Sequence, residues 1–224
     1  MNKLIDPRKF SSCVNKMRQF FLQKNYYEVH TQNALSILAA CEDPQTISTY
    51  QYSGKVWPLP QTGQMHLENV LLDNPDYEGA FCVSTSYRNE PNPVPGRHDL
   101  IFPMFEFESK GDVKDLQNMQ IDLLDHLGFE KTNGSYPEGN YEDVCKKYNT
   151  DELDHADELQ LEKDYGPVFF LKEFPFITSP FWNMRADFTS QKSHKIDVIL
   201  HGIETIGSAE RSTDKDEMRE MFYN

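Results

Sequence analysis

The sequence predicts an α+β domain, a mainly antiparallel sheet flanked by helices. Three observations lead there. Two pairs of extended segments, within residues 81–108 and 195–212, are each joined by a chain reversal. Two stretches, 7–25 and 113–127, repeat apolar residues at helical spacing. A third, Pro167 to Glu173 (PVFFLKE), is a short continuous apolar run, as a strand covered on both faces would be.

A chain of 224 residues is long enough for one good-sized core, and 1–224 reads as a single domain. No stretch approaches the ~20 apolar residues of a membrane span, so no membrane partner is expected. The opening MNKLIDPRKFSS has no signal-peptide apolar run. Cys13, Cys41, Cys82 and Cys145 are widely spaced and form no CxxC pair, which suits a reduced, cytoplasmic chain without a zinc cluster. The 36 acids against 22 Lys plus Arg give a net charge of −14. That balance argues against a dedicated nucleic-acid-binding module, which normally presents a basic face.

Along the chain, Val14, Met17, Phe20 and Phe21 mark one face of the first helix, and Pro7 suits its first turn. Tyr27 and Val29 then alternate with Glu28 and His30 as a short strand. Residues 33–60 are loop-rich; Cys41-Glu42-Asp43-Pro44 is a polar turn and Thr46 to Tyr52 a candidate strand. After the break at Gly63, Met65, Leu67, Val70 and Leu71 predict a helix with Glu68 and Asn69 on its polar side.

The hairpin FCVSTSYRNEPNPVPGRHDLIFPMFEFE (81–108) is the most informative stretch. Its second arm places Phe102, Met104, Glu106 and Glu108 on one face and Pro103, Phe105 and Phe107 on the other. The second set is apolar enough for core. The first mixes carboxylates with a ring and a methionine, a surface suited to a polar ligand. Pro91, Pro93, Pro95 and Gly96 keep the connecting loop from extending either strand. Arg88 with Glu90, and Arg97 with His98, stand at its ends. Arginine forks suit phosphate oxygens, and Phe102 offers a flat surface for a purine. The stretch reads either as a nucleotide clamp or as a solvated hairpin with surface ion pairs.

Residues 113–127 form an amphipathic helix stopped by Gly128. The acidic, turn-rich insertion of about 130–164 holds two candidate surface helices, 141–148 and 153–161, and reads as a solvated face. In FITSPFWNMRAD, Phe181 and Met184 are candidates for a pocket wall and Trp182 is expected in the core. In KIDVILHGIETIGSAERS, a turn at His201-Gly202 sets Ile199 opposite Glu204. Asp197 is then diagonal to Glu204, with Cβ atoms roughly 7–8 Å apart. Two carboxylates so spaced can share a hard cation, or can simply be exposed strand acids.

YRNE followed by RHDLIFPMFEFE resembles motif 2 of the class II aminoacyl-tRNA synthetases, in its aspartyl/asparaginyl form. The resemblance implies that Arg88 holds the α-phosphate of ATP, Glu90 reads the adenine edge, Arg97 and His98 approach the outer phosphates, and Phe102 stacks on adenine. It implies that Glu106 binds the α-amino group of the amino acid. LPQTGQMHLE is similar to the asparaginyl-branch segment in which the equivalent of Gln64 touches the amino acid, and Glu42 falls where that branch has an acid reaching the ammonium. Asp197, Glu204 and Arg211, spaced seven residues apart, match the metal-binding acids and the substrate arginine, so Mg²⁺ is implied at the first two. FFLQKNYYEVHT resembles motif 1, which implies a homodimer, although Gln32 stands where the family usually has proline.

The aspartyl enzymes place a lysine three residues after the glutamine; here it is Leu67, which leans towards the asparaginyl side. The resemblance covers about residues 10–212. It lacks an anticodon-binding domain before the core and the motif 3 strand and helix after Arg211, and the expectation is a fragment of a longer reading frame. The implied chemistry is ATP-dependent adenylation of aspartate or asparagine, the adenylate passing to ammonia or to tRNA, with the charge disfavouring tRNA. The alternative is an inactive synthetase paralogue acting as an amino-acid- or nucleotide-binding regulatory module.

Overall fold

The computed structural model describes residues 5–31, 38–94 and 99–223. These fall into two compact units, Met1–Lys110 and Gly111–Asn224. The fold is α+β, with antiparallel-rich sheets and helices.

The first unit opens with α1 (Pro7–Gln23), capped by Asp6, whose side chain accepts from the Arg8 and Lys9 amides. A three-stranded sheet follows in the order β1 (Tyr27–Glu28), β4 (Gly79–Tyr87), β5 (Ile101–Ser109), with β1–β4 parallel and β4–β5 antiparallel. Between these strands lie the hairpin of β2 (Thr49–Tyr52) and β3 (Lys55–Pro58), and then α2 (Gln64–Asp73). On the odd-numbered face of β5, Phe105 and Phe107 pack towards the core, as the alternation predicts, while Ile101 and Pro103 are exposed. Phe21 of α1 is fully buried among the rings of Phe81, Phe105 and Phe107, with centroids 5.6, 5.4 and 4.9 Å away. On the even-numbered face, α2 covers only one end of the sheet, packing Leu67 on Ala80 and Cys82.

The second unit is a sheet in the order β10 (Ile203–Ala209), β9 (Lys192–Leu200), β7 (Val168–Pro175), β6 (Glu138–Asn140), with β8 (Ala186–Asp187) also on β9. α3 (Val113–Leu127) has an Asp112–Asp115 capping box and ends at Gly128. Its Leu124 packs with Val168, Phe170, Ile196 and Val198 on one side of the sheet. α4 (Tyr141–Tyr148) and α5 (His155–Tyr165) cover the other, over Phe169, Leu171 and Ile199. Both faces of β7 are therefore buried over residues 168–171, which is why that part of the strand is uninterrupted by polar residues. α6 (Lys215–Tyr223) is tied back by Glu217, whose carboxylate accepts from the Ala186 amide at 2.9 Å.

Two local expectations need correction. The candidate strand 46–52 starts only at Thr49, because Thr46 closes a turn onto the Asp43 carbonyl at 3.1 Å. It pairs with β3 across Ser53-Gly54, both at positive φ, which form the reversal a two-residue hairpin needs. Trp182 is not core: it is 36% exposed, edge-on to Phe222 at 6.0 Å, because it lies in a turn outside the sheet, while its neighbour Met184 is buried.

Phe21→Ala removes the ring at the centre of the first unit's aromatic cluster. Urea denaturation should show a loss of about 3–5 kcal/mol, as for other buried Phe truncations. A loss below about 1 kcal/mol would mean that Phe21 is not the packing centre.

Candidate active site

The first unit gathers its candidate residues around one buried carboxylate. Glu106 is 6% exposed in the middle of β5, directly opposite Cys82 of β4. The Thr62 hydroxyl donates to its Oε1. Its Oε2 accepts from the Gly63 amide at 2.7 Å and the Ser84 hydroxyl at 2.6 Å. These donors hold the side chain in one orientation, and among the described residues none of them is cationic. Burial, and then Glu106 itself, push the neighbouring Cys82 thiol far above its ordinary range, so the thiol stays protonated.

The same segment, Gln61 to Gln64, fastens the other two amino-acid candidates. Glu42 accepts from the Gln61 amide at 2.8 Å and from the Ala39 amide at 2.6 Å. Cys41 donates to Gln64 Oε1 at 3.1 Å. Buried Gln61 uses both ends of its amide, accepting from Asp43 N and donating to Thr46 Oγ1, each at 3.0 Å. Glu42, Gln64 and Glu106 are thus brought together about one turn. Gly63 is required there: a Cβ on it would lie 2.6 Å from Cys82 Sγ and 3.1 Å from Glu106 Oε2. Leu67, one helical turn on, is wholly buried.

Further along the same face stand Ser86, Arg88 and Phe102. Ser86 pairs with Phe102 across the strands, and the Arg88 amide continues the ladder by bonding the Leu100 carbonyl at 2.8 Å. The Arg88 guanidinium carbon lies 5.7 Å from the Phe102 ring centroid. Ser86 Oγ and Arg88 Nε are buried and make no hydrogen bond among the described residues. Buried polar atoms of that kind usually have a partner, so this end of the face suits a polar ligand. Glu90 follows in the loop, half-buried. Arg97 and His98, like Gln32, lie outside the described residues.

The second unit carries the acid pair. The reversal at His201-Gly202 forms as expected, with Leu200 opposite Ile203 and Ile199 opposite Glu204. A bulge between Glu204 and Ile206 then shifts the register, so that Asp197 faces Gly207. The bulge keeps the acids together. A Cβ on Gly207 would lie 2.8 Å from Glu204 Oε1 and 3.7 Å from Asp197 Oδ1. Burial raises the Asp197 carboxyl above its usual range, with Lys195 pulling it back and Glu204 adding repulsion. Arg211 donates to Asn183 Oδ1 at 3.3 Å and bridges to Met184.

Asp197 Oδ1 is buried without a hydrogen-bond partner among the described residues, and Glu204 reaches over the same glycine. This oxygen donor set fits a hard divalent cation. Among the described residues no three His, Cys, Asp or Glu side chains gather to hold a metal, so such an ion would draw its remaining ligands from water or phosphate.

The sequence did not single out Thr62, Ser84, Gln61 or Lys195, the residues that hold these groups in place. Ser84 was recoverable from the alternation of β4, since it shares the Glu106 face. Thr62 and Gln61 were not, because their partners are distant in the chain.

A family model described as tRNA synthetases class II (D, K and N) matches residues 5–224. Among curated proteins, the chain is 22% identical over 240 residues to an aspartate–tRNA(Asp) ligase of Pyrobaculum aerophilum, covering 94% of the chain and 53% of that protein. It is 24% identical over 247 residues to the cytoplasmic asparagine–tRNA ligase of Dictyostelium discoideum, covering 93% and 37%. The chain thus spans about half or less of these relatives. Among solved structures, asparaginyl-tRNA synthetase from Pyrococcus horikoshii, complexed with asparaginyl-adenylate, superposes with a TM-score of 0.81 at 19% identity, over 95% of this chain and 55% of that one.

At pH 8 a thiol reagent should label exposed Cys13 within minutes and leave Cys82 and Cys145, both buried with raised thiols, unreacted until denaturant is added. Rapid labelling of Cys82 in the folded protein would show that the Glu106 pocket is not closed around its donors.

Proposed function

Because this chain belongs to the class II aminoacyl-tRNA synthetases of the aspartyl, lysyl and asparaginyl group, we propose that it activates aspartate or asparagine as the adenylate, using ATP. The observation that carries this reading is the even-numbered face of β4 and β5. It sets a buried, fixed carboxylate at Glu106 and a guanidinium on a phenyl ring at Arg88 and Phe102, with only neutral donors between them.

In this reading Glu106, with Gln64 and Glu42 behind the same turn, receives the ammonium of the amino acid. Thr62, Gly63 and Ser84 keep its carboxylate aimed. Phe102 stacks on adenine, Glu90 reads the base edge, and Arg88 holds the α-phosphate, with Arg97 and His98 assigned to the outer phosphates. The amino acid's carboxylate attacks the α-phosphorus in line; the new O–P bond forms as the bond to the β-phosphate breaks, and pyrophosphate leaves. No enzyme nucleophile takes part, so the chain's contribution is positioning and neutralisation of charge. Asp197 and Glu204 would hold Mg²⁺, which supplies positive charge to the phosphate oxygens. Arg211 is assigned to the substrate side chain.

Two features bear on substrate and acceptor. Leu67, at the position where a lysine would meet a second carboxylate, is sealed in the core beside Ala80 and Cys82, which supports an asparaginyl-like pocket. The net charge of −14 supports ammonia over tRNA as acceptor. A homodimer through the motif 1 region belongs to the same proposal.

The test is pyrophosphate exchange with aspartate and with asparagine, followed by product analysis with ammonium or tRNA. Exchange is expected with at least one of the two, and Arg88→Ala should lower its rate on the order of 10²–10³-fold. Exchange with neither, alongside retained ATP binding, would replace the enzyme with a nucleotide-binding regulatory module.

A further inference from the structure

The acid pair assigned to magnesium has a neighbour to which that assignment gives no part. Lys195 lies two residues before Asp197 on the same face of β9, and its Nζ donates to Asp197 Oδ2 at 2.6 Å. The same Nζ stands 4.1 Å from the centroid of the Phe174 ring. The ammonium is thus fixed between an anion and a ring face on neighbouring strands β9 and β7. Asp197, 3% exposed, is divided between its two oxygens. Oδ2 belongs to Lys195, while Oδ1 accepts no hydrogen bond among the described residues and adjoins Glu204 Oε1 across the space left by Gly207.

The geometry points to Lys195 as a built-in counter-cation that lowers the affinity of Asp197 and Glu204 for a divalent ion and leaves only Oδ1 of Asp197 to meet it. This inference rests on the magnesium assignment above. The physical reason is charge. Two carboxylates offer a divalent ion two negative charges, and the lysine cancels one before the ion arrives. An ion held by Oδ1 and Glu204 would share the Asp197 carboxylate with the ammonium, and two cations on one carboxylate in a partly dry site repel strongly. A lysine that served only packing would have no such effect: its loss would weaken the site or leave it unchanged.

Mn²⁺ binding to the full chain, without ATP, can be followed by the electron paramagnetic resonance signal of the free ion. Lys195→Met is expected to tighten binding on the order of tenfold. Lys195→Arg, which keeps the charge, should stay within about twofold of wild type. Lys195→Met should also melt lower than wild type without metal and show the larger rise in Tm when Mn²⁺ is added. Lys195→Gln serves in its place if the methionine variant does not fold. Unchanged or weaker binding in the neutral variants overturns the role of Lys195. Asp197→Asn and Glu204→Gln separate the two ideas, since both should abolish binding. If they bind Mn²⁺ as wild type does, the magnesium assignment itself falls.

Discussion

A carboxylate in the middle of a strand with almost no access to water is costly unless donors surround it, and Glu106 sets that condition for the whole first unit. Its three donors come from two segments: Thr62 and Gly63 of the turn before α2, and Ser84 of the adjoining strand β4. Satisfying one side chain therefore fixes the register of β4 on β5 and the point at which α2 begins. It also forbids a side chain at position 63. All these donors are neutral, so among the described residues the carboxylate is held by hydroxyl and amide hydrogens and by no Lys or Arg.

Asp197 in the second unit is the contrasting case. It is as buried as Glu106, yet the hydrogen bond it accepts comes from the Lys195 ammonium. One oxygen is satisfied and the other is not. A structural acid would be expected to use both oxygens, as Glu217 does with the Ala186 amide and the Ser212 hydroxyl. The bulge between Glu204 and Ile206 has the same sense, because it interrupts the ladder where the second acid must lean back over Gly207. Both units follow one design: a strand with one apolar face holding the core and one polar group set into an otherwise covered surface.

The packing around these groups explains why the chain tolerates them. Phe21, Phe81, Phe105 and Phe107 anchor β4 and β5 from below, so the opposite face can carry Ser84, Ser86, Arg88 and Glu106 without losing its place. In the second unit, α3 on one side and α4 with α5 on the other clamp β7 and β9 through apolar contacts on both faces. Rigidity there comes from burial, and the polar groups use it.

The sequence by itself determined the period of each element, and with it which side chains share a face. The division of β5 into Phe105 and Phe107 against Phe102 and Glu106, the bounds of α3, and the two-residue reversal at His201-Gly202 could all be read from local spacing, since each depends on neighbours a few residues apart. The family resemblance through YRNE and Asp197-Glu204-Arg211 was legible for the same reason. Only the tertiary structure decided which distant groups meet. The seating of Glu106 by Thr62 and Ser84, the bracing of Glu42 by Gln61, the exposure of Trp182 and the placing of Lys195 between Asp197 and Phe174 depend on chain segments brought together by burial. A one-residue bulge and one missing Cβ settled how Asp197 and Glu204 approach each other, and neither has a periodic signature in the sequence.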